Sequence, residues 1–395
     1  MKRNVCIGAT FIGLIAVLGV GQNLLDKAAA QAGKGNTVQA PKFEVDPTFP
    51  KPMPNHWYQG MSIGVSVDAQ DHIWIVHRPD TVSANEAAAD AKTGACCSKA
   101  PPILEFDQSG KLLRHWGGAD GDGYQWPASN HGITIDYKGN VWIGGNGSGD
   151  AHVLKFTQDG KFLMQVGKKG IPVDSNSTEH FGQVAKIFVD PKANEAYIAD
   201  GYGNKRVVVI DADTGKFKRY WGAYGNKPSD MSLGRYDPDA PPAQQFRNPV
   251  HCAELASDGL LYVCDRQNDR IQVFTKEGKF VKEAFISKRT LGDGSVWDIA
   301  FSGDPQQKYI YLADGHDEKI FILLRDSLEI LTSFGDGGRQ PGQFYAVHSI
   351  AADSKGNLYT TETYRGQRVQ KFVYKGVAAV AKKDQGVVWP MTAKK

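Results

Sequence analysis

The sequence predicts an all-β protein, a six-bladed β-propeller, from three observations. The first is an internal repeat: an apolar strand, an Asp-x-x-Gly-Asn-like turn, a strand rich in Trp, Tyr, Val and Ile, and two further strands joined by a Gly-Lys turn. The second is that these strands alternate at period two, which is typical of four-stranded meanders. The third is that no long amphipathic helical stretch interrupts them. Radial repetition of four-stranded sheets is the propeller architecture.

Six copies of the repeat follow one another, and each predicts one blade. They contain the segments VSVDAQDHIWIVHR, ITIDYKGNVWIGG, IFVDPKANEAYIADGYGNKRVVVI, AELASDGLLYVCDRQNDRIQVF, DIAFSGDPQQKYIYLADGHDEKIFILL and SIAADSKGNLYTTETYRGQRVQKFVY. Residues 56–376 are therefore predicted to form the propeller. Residues 33–55 are predicted as a lead-in segment, a candidate for a closing strand, and residues 377–395 as a loosely held tail.

Residues 1–32 are predicted to be an export signal. Lys2 and Arg3 precede an apolar stretch over residues 5–21, and Ala30-Gln31-Ala32 has the small residues of a cleavage site. The distance between the apolar stretch and that site leaves an uncleaved N-terminal anchor as an alternative. We expect a periplasmic or secreted protein that has no other membrane contact, because no other run is long enough to span a bilayer.

An oxidising compartment makes the cysteines candidates for disulfides. Cys252 and Cys264 flank one turn nearly symmetrically and could face each other across a hairpin, or remain free as small buried residues. Cys96 and Cys97 are adjacent, and either form a vicinal disulfide or stay reduced.

The overall charge limits the choice of partners. The formal net charge is +3, and no basic run or stripe interrupts the sequence. Nucleic acid is therefore excluded as an expected partner. We expect a monomer that acts on a small-molecule or peptide substrate.

Three histidines occupy the same slot in alternate repeats. His131, His251 and His348 each open a first strand, eight residues before a turn glycine. Alternate blades of a six-bladed propeller stand about 120° apart, so the three imidazoles are predicted to converge on the axis. Three histidines with an open fourth position are typical of a catalytic zinc. The alternative for each is a satisfied core or turn residue. The odd blades have apolar residues in this slot: Ile63, Ala185 and Trp297.

Two further residues are predicted at the same mouth of the channel. Arg78 and Tyr202 lie in the loops between second and third strands of blades one and three, on the side where first strands begin. Arg78 also precedes a long insertion over residues 79–102. Tyr202 is a candidate acid or base, and nearby zinc and arginine are expected to lower its pKa.

The repeat resembles the NHL repeat, and the propeller as a whole resembles the catalytic core of peptidyl-α-hydroxyglycine α-amidating lyase. The likeness is carried by VDAQDHIWIVHRPD, NHGITIDYKGNVWI, FVDPKANEAYIADGYGNKRVV, FRNPVHCAELASDGLLYVCDRQNDRIQVF and VHSIAADSKGNLY, in this order. The resemblance implies that His131, His251 and His348 bind Zn²⁺. It also implies that Tyr202 is the catalytic tyrosine and that Arg78 binds the substrate.

Two positions depart from that family. An aspartate that supports a structural Ca²⁺ follows the third histidine in the family, and Ser349 stands here, which argues against calcium in the channel. The family's methionine two residues before that histidine is Ala346. Substrate identity is therefore less constrained than the chemistry.

The leading functional hypothesis is an exported zinc-dependent lyase. It would cleave a carbinolamide C–N bond to release an amide and glyoxylate or a similar product. The alternative is a non-catalytic NHL propeller that binds a protein or peptide on one face, because a fold does not imply a chemistry. A metal-dependent hydrolase such as a lactonase is a third hypothesis, and the three histidines argue against it.

Overall fold

Six four-stranded antiparallel sheets form the propeller, as the repeat predicts. The computed structural model describes residues 36–390. Blade one consists of Met61–Val67, Ile73–Arg78, Ile103–Phe106 and Leu112–Trp116, and blade two of Asn130–Ile135, Val141–Gly145, His152–Phe156 and Phe162–Gly167. Blade three consists of Val184–Asp190, Glu195–Asp200, Arg206–Asp211 and Phe217–Trp221, and blade four of Val250–Leu255, Leu260–Asp265, Arg270–Thr275 and Phe280–Phe285. Blade five consists of Asp298–Phe301, Tyr309–Asp314, Lys319–Leu324 and Ile330–Phe334.

The sixth blade combines the two ends of the described chain. Val347–Ala352, Leu358–Glu362 and Arg368–Ala381 form its inner three strands, and Thr37–Asp46 is its outermost strand. The last pairing runs antiparallel from Thr37 opposite Ala381 to Asp46 opposite Lys371. An early segment therefore closes the ring against a late one.

The expectation of a loose tail from residue 377 is wrong for its first part. Residues 377–381 continue the third strand of blade six, because Thr37–Asp46 offers them a complete set of backbone partners. Beyond them, the Val45 amide donates to the Val388 carbonyl and the Gly335 amide donates to the Gly386 carbonyl. The segment up to residue 390 is thus fastened to blades five and six.

Short elements complete the described part of the chain. Trp57–Tyr58 pairs in parallel with Ser98–Lys99, which ties the insertion in blade one to the segment before that blade. The helical elements are single 3₁₀ turns, at Pro54–His56, Pro79–Thr81, Ala223–Gly225 and Arg266–Asn268. Among residues 36–390, no helix has the length and apolarity to cross a membrane. The predicted export signal at residues 1–32 lies outside the described residues.

Both candidate cysteine pairs are disulfides. Cys252 and Cys264 are direct partners in the first two strands of blade four, as their placement around the turn allows. Cys96 and Cys97 are bonded as neighbours within the insertion of blade one.

The first strand of each blade lines the central channel, and its start is irregular in a repeated way. The pairing register of the first strand shifts at one slot in blades one, two, three, four and six: between Ser62 and Gly64, His131 and Ile133, Val184 and Lys186, Val250 and Cys252, and Val347 and Ser349. A β-bulge re-aims the residue that it releases from the ladder. The released residue is the slot residue itself in blades one, three, four and six, whereas in blade two it is Gly132, and His131 stays paired with Gly144.

Candidate metal and active site

The three histidines of the even blades meet on the channel axis. The centroids of their rings lie 5.2 Å apart for His131 and His251, 4.9 Å for His131 and His348, and 4.8 Å for His251 and His348. The side chains are almost completely buried. One nitrogen of each ring lies within 4.8 Å of the others, so the triad could hold a metal ion.

Backbone carbonyls of the odd blades fix the orientation of each ring. His131 Nδ1 lies 2.7 Å from the Ala185 carbonyl oxygen, and His348 Nδ1 lies 2.6 Å from that of Ile63. His251 Nδ1 makes the same contact with the Trp297 carbonyl. A carbonyl can only accept, so each Nδ1 carries the proton and each Nε2 keeps its lone pair. Metal-binding histidines are commonly oriented in this way, by a hydrogen-bond acceptor for the ring N–H that does not face the metal.

The electrostatic environment keeps the triad neutral. Burial lowers the pKa of all three histidines well below the ordinary value, and the charges of Arg78 and Arg266 act in the same direction on His131 and His348. A neutral imidazole is the form that binds a metal ion. The site therefore favours three neutral imidazoles, which can bind a metal cation, over three protonated imidazolium groups.

One glycine makes the contact between His131 and Ala185 sterically feasible. Gly132 follows His131 with a φ of +68°, which L side chains rarely adopt. A Cβ at this position would overlap the Ala185 carbonyl oxygen. Glycine thus lets the backbones of blades two and three approach closely enough for the hydrogen bond to His131.

Tyr202 points its hydroxyl into the triad. The hydroxyl oxygen lies 2.9 Å from His131 Nε2 and 3.0 Å from His251 Nε2. A phenol has one proton and donates to one of these nitrogens at a time. Burial raises the pKa of Tyr202, although the positive charges of Arg266 and Arg78 oppose this shift. Desolvation outweighs the two arginines, so the lowering expected from zinc and an arginine together stays a prediction.

The loop that carries Tyr202 is held firmly. Arg206 Nε donates to Asp200 at 2.8 Å, and this fully buried ion pair closes the loop at its two ends. The Asn248 side-chain amide donates to the carbonyls of Gly201 and Tyr202 at 2.8 and 3.1 Å. The position of the phenol is consequently fixed by blades three and four together.

Arg78 lies at the same mouth, as predicted. Its Nε donates to the Asn130 carbonyl at 3.0 Å, and its Nη2 donates to Asn146 Oδ1 at 2.7 Å. Its charge acts on the pKa of His131, His348 and Tyr202, which places it beside the triad. The structure therefore brings all five predicted site residues together.

A second arginine, Arg266, was missed by sequence reasoning. Its Nη1 donates to the Tyr202 hydroxyl at 3.2 Å, and its guanidinium lies 4.4 Å from the centre of the Trp297 ring. Its buried Nε has no hydrogen-bond partner among the described residues. The repeat register contained the signal, because Arg266 directly follows the second strand of blade four in the slot that Arg78 occupies in blade one.

An acidic side chain, Asp293, lies on the rim beyond Arg266. Asp293 Oδ1 lies 3.7 Å from Arg266 Nη2, and the Tyr364 hydroxyl donates to Asp293 at 2.9 Å. Asp293 itself is partly exposed. Two arginines from opposite blades thus surround the buried triad with positive charge, which suits an anionic ligand.

Fold and site together define a six-bladed NHL-type propeller with a buried histidine triad that could hold a metal ion. In sequence, the chain is similar to proteins named as amidating lyases. It is 26% identical over 322 residues to a probable peptidyl-alpha-hydroxyglycine alpha-amidating lyase of Caenorhabditis elegans, which covers 77% of this chain and 80% of the relative. It is 27% identical over 320 residues to peptidyl-glycine alpha-amidating monooxygenase B of Xenopus laevis, and the match spans about one third of the length of that relative.

Other comparisons support the fold more than the chemistry. NHL repeat-containing protein 3 of Mus musculus is 25% identical over 305 residues, with 73% of this chain and 71% of the relative covered. A solved streptogramin B lyase superposes with a TM-score of 0.50 at 14% identity, over 86% of this chain and 98% of that one. No family model matches the chain. The chain therefore resembles lyase propellers and NHL repeat proteins.

Proposed function

We propose that the protein is a zinc-dependent lyase of the amidating type, which cleaves an N-acyl-α-hydroxyglycine into an amide and glyoxylate. In this reaction the hydroxyl O–H bond and the C–N bond break, a C=O bond forms, and the amide nitrogen takes up a proton. Atoms and electrons balance without an oxidant. The observation that carries the proposal is the set of three Nε2 lone pairs facing one point on the axis.

Zinc fits this donor set. Catalytic zinc sites commonly use three protein nitrogen or oxygen ligands and leave a fourth position for substrate or water. His131, His251 and His348 would be the three ligands, and the fourth position would face the mouth where Tyr202 lies. An ion bound there would polarise a substrate oxygen and stabilise negative charge on it.

The two arginines are proposed to bind and orient the substrate. Arg78 donates to Asn130 and Asn146 from Nε and Nη2, and Arg266 has a buried Nε without a partner among the described residues. Guanidinium groups bind carboxylates through parallel, charge-assisted hydrogen bonds. The carboxylate of an α-hydroxyglycine would therefore fix the reacting carbon near Tyr202.

Tyr202 is proposed to transfer the proton. Its hydroxyl oxygen lies within hydrogen-bond distance of two imidazoles and of Arg266, so it can lose its own proton and take the hydroxyl proton of the substrate. Because burial raises its pKa, this role depends on the positive charge gathered around the phenol. The same group can return the proton to the departing amide nitrogen.

We also propose that the protein works outside the cytoplasm. Two disulfides, Cys96–Cys97 and Cys252–Cys264, support an oxidising compartment. The predicted export signal agrees with this location, and a small-molecule or peptide substrate would reach the site from the mouth of the channel.

An assay on an N-acyl-α-hydroxyglycine tests the proposed function. Purified protein should bind one zinc per chain and release glyoxylate, and Tyr202→Phe should keep the zinc while losing about 10²- to 10⁴-fold in rate. His251→Ala should lose both the zinc and the activity. A His251→Ala variant with full zinc content would contradict the metal assignment, and zinc-loaded wild type without activity would contradict the reaction.

The non-catalytic alternative keeps one specific observation in its favour. The chain is similar over most of its length to NHL repeat-containing protein 3, whose name states no activity. Purified protein that contains no metal and turns over no substrate would favour that alternative.

A further inference from the structure

A buried ion cluster crosses the channel directly behind the histidine triad. Lys186 Nζ lies 2.7 and 2.9 Å from the two carboxylate oxygens of Asp298, and 2.9 Å from Glu254 Oε1. Ser349 Oγ donates to the Asp298 carboxylate at 2.7 Å. These groups come from the first strands of blades three, four, five and six. The proposed reaction uses none of them.

Three members of the cluster directly follow a histidine of the triad or a residue whose carbonyl orients one. Lys186 follows Ala185, whose carbonyl faces His131. Asp298 follows Trp297, whose carbonyl faces His251, and Ser349 follows His348 itself. Movement of any of these side chains therefore moves the backbone that orients a ring.

Asp298 is the centre of the cluster. Besides Lys186 and Ser349, its carboxylate accepts hydrogen bonds from the amides of Ile299 and Ile350 at 2.9 and 3.1 Å. The Val65 amide donates to Ser349 Oγ at 3.4 Å, which adds the first strand of blade one. Five blades are thus connected through the carboxylates of Asp298 and Glu254, the Lys186 ammonium and the Ser349 hydroxyl.

The opposite charges explain how the cluster holds together in a buried position. Burial alone would lower the pKa of Lys186, but Asp298 and Glu254 outweigh it and raise that pKa, so the ammonium stays charged. Losing one member of a buried ion pair leaves the partner charge uncompensated and is strongly destabilising.

We propose that Lys186 is a built-in cation that positions the histidine triad for metal binding. Its ammonium draws the starts of the first strands together, so that the carbonyls of Ala185 and Trp297 hold His131 and His251 in the ligand orientation. Lys186 is a positioning residue and touches no substrate. The proposal rests on the metal site proposed above.

Metal binding by Lys186→Met tests this role, because methionine is an unbranched side chain of similar length that lacks the charge. The matched control is Lys155→Met. Lys155 is also buried, donates to the Ala212 carbonyl at 2.8 Å and lies near Asp136, on the third strand of blade two and away from the triad. The dissociation constant for Zn²⁺ and the visible spectrum of the Co²⁺-loaded protein are measured for both variants and the wild type.

The expected result separates positioning from general stability. Lys186→Met should weaken Zn²⁺ binding about 10- to 100-fold and alter the Co²⁺ bands, as loss of an orienting partner does at metal sites. Lys155→Met should lower the melting temperature without either change. Equal Zn²⁺ affinity and identical Co²⁺ spectra in Lys186→Met would overturn the proposal.

Two further outcomes are informative. If Lys186→Met does not fold, Ser349→Ala decides, because it removes the hydroxyl that bonds Asp298 and the Val65 amide while all three charged groups stay in place. A weaker Zn²⁺ affinity supports the proposal, and an unchanged affinity with an unchanged Co²⁺ spectrum overturns it. A wild type that binds neither Zn²⁺ nor Co²⁺ would instead reject the proposed function, which distinguishes the two failures.

Discussion

The even and odd blades use one structural slot in opposite ways. In blades two, four and six the slot presents an imidazole to the axis, from His131, His251 and His348. In blades one, three and five the same slot presents a backbone carbonyl, from Ile63, Ala185 and Trp297, and each carbonyl accepts from the histidine of the preceding blade. The even blades therefore contribute side chains that could bind the metal, and the odd blades contribute backbone carbonyls that orient those side chains.

This difference explains how a symmetric fold builds a threefold site. Six identical slots would place six like groups around one axis, whereas alternation gives three ligands and three acceptors that fix their tautomers. Each ligand thus depends on its neighbouring blade. The account predicts that substitutions in one slot have different consequences in alternate blades.

The largest expected effect comes from deleting one even-blade imidazole. His348→Ala should abolish stoichiometric metal binding, because two imidazoles remain where a zinc site requires at least three protein ligands. The matched substitution in the next blade, Ile63→Ala, should leave metal binding intact while destabilising the core by about 2–5 kcal/mol. Metal content after dialysis and denaturant unfolding measure both. Equal loss of metal in the two variants would contradict the distinction between even-blade and odd-blade side chains.

A smaller effect is expected where an odd-blade carbonyl is displaced. Gly132→Ala places a methyl group against the Ala185 carbonyl and strains a positive φ. His131 should then lose its Nδ1 acceptor, and Zn²⁺ affinity should fall about 10- to 100-fold. Gly139→Ala is the control, since Gly139 also has a positive φ but lies at a turn far from the triad and meets only a side-chain tip. Similar Zn²⁺ affinities for the two variants would argue against the carbonyl's role.

No effect on metal binding is expected from His77, a histidine of odd blade one, whose role is in stability at low pH. His77 Nδ1 accepts from the Gly60 amide, its Nε2 donates to the Pro101 carbonyl at 2.9 Å, and burial lowers its pKa to about 4. Its neutral form is favoured in the folded state, so its contribution to stability is complete above pH 6.5. That contribution is lost as the pH falls toward 4, and amounts to at most about 3 kcal/mol.

Denaturant unfolding across this pH range checks the contribution of His77. The free energy of unfolding should fall more steeply with acidification in the wild type than in His77→Gln. Parallel profiles for the two proteins would show that His77 does not carry this pH dependence.

Much of the site could be predicted from the sequence because residues at the same repeat position face the same way in each blade. The register of His131, His251 and His348 predicts convergence once the blades are counted. Arg266 was missed although it shares its slot with Arg78. Other arginines near the second strands, Arg206 and Arg270, form structural ion pairs with Asp200 and Asp265, so an arginine in this region does not by itself indicate a site. The sequence indicates positive charges near the Tyr202 phenol but not its depth of burial, which raises its pKa against the two arginines.

The ion cluster behind the triad lies beyond sequence reasoning for a different reason. Lys186, Asp298 and Ser349 each directly follow the slot residue of their blade, whereas Glu254 lies three residues after His251. The register therefore aligns three of the four residues but does not show that their side chains meet. Their meeting depends on the width of the closed channel and on side-chain length. Closure itself depends on Thr37–Asp46 pairing with Arg368–Ala381, and the sequence offered that early segment only as a candidate strand.

X-ray absorption at the zinc edge of the loaded protein tests the central claim most directly. The account predicts one zinc per chain with three imidazole nitrogen ligands at about 2.0–2.1 Å and a fourth light-atom ligand. His251→Ala should show no such site. A zinc bound by sulfur or by fewer than three imidazoles, or the same spectrum in His251→Ala, would contradict the account.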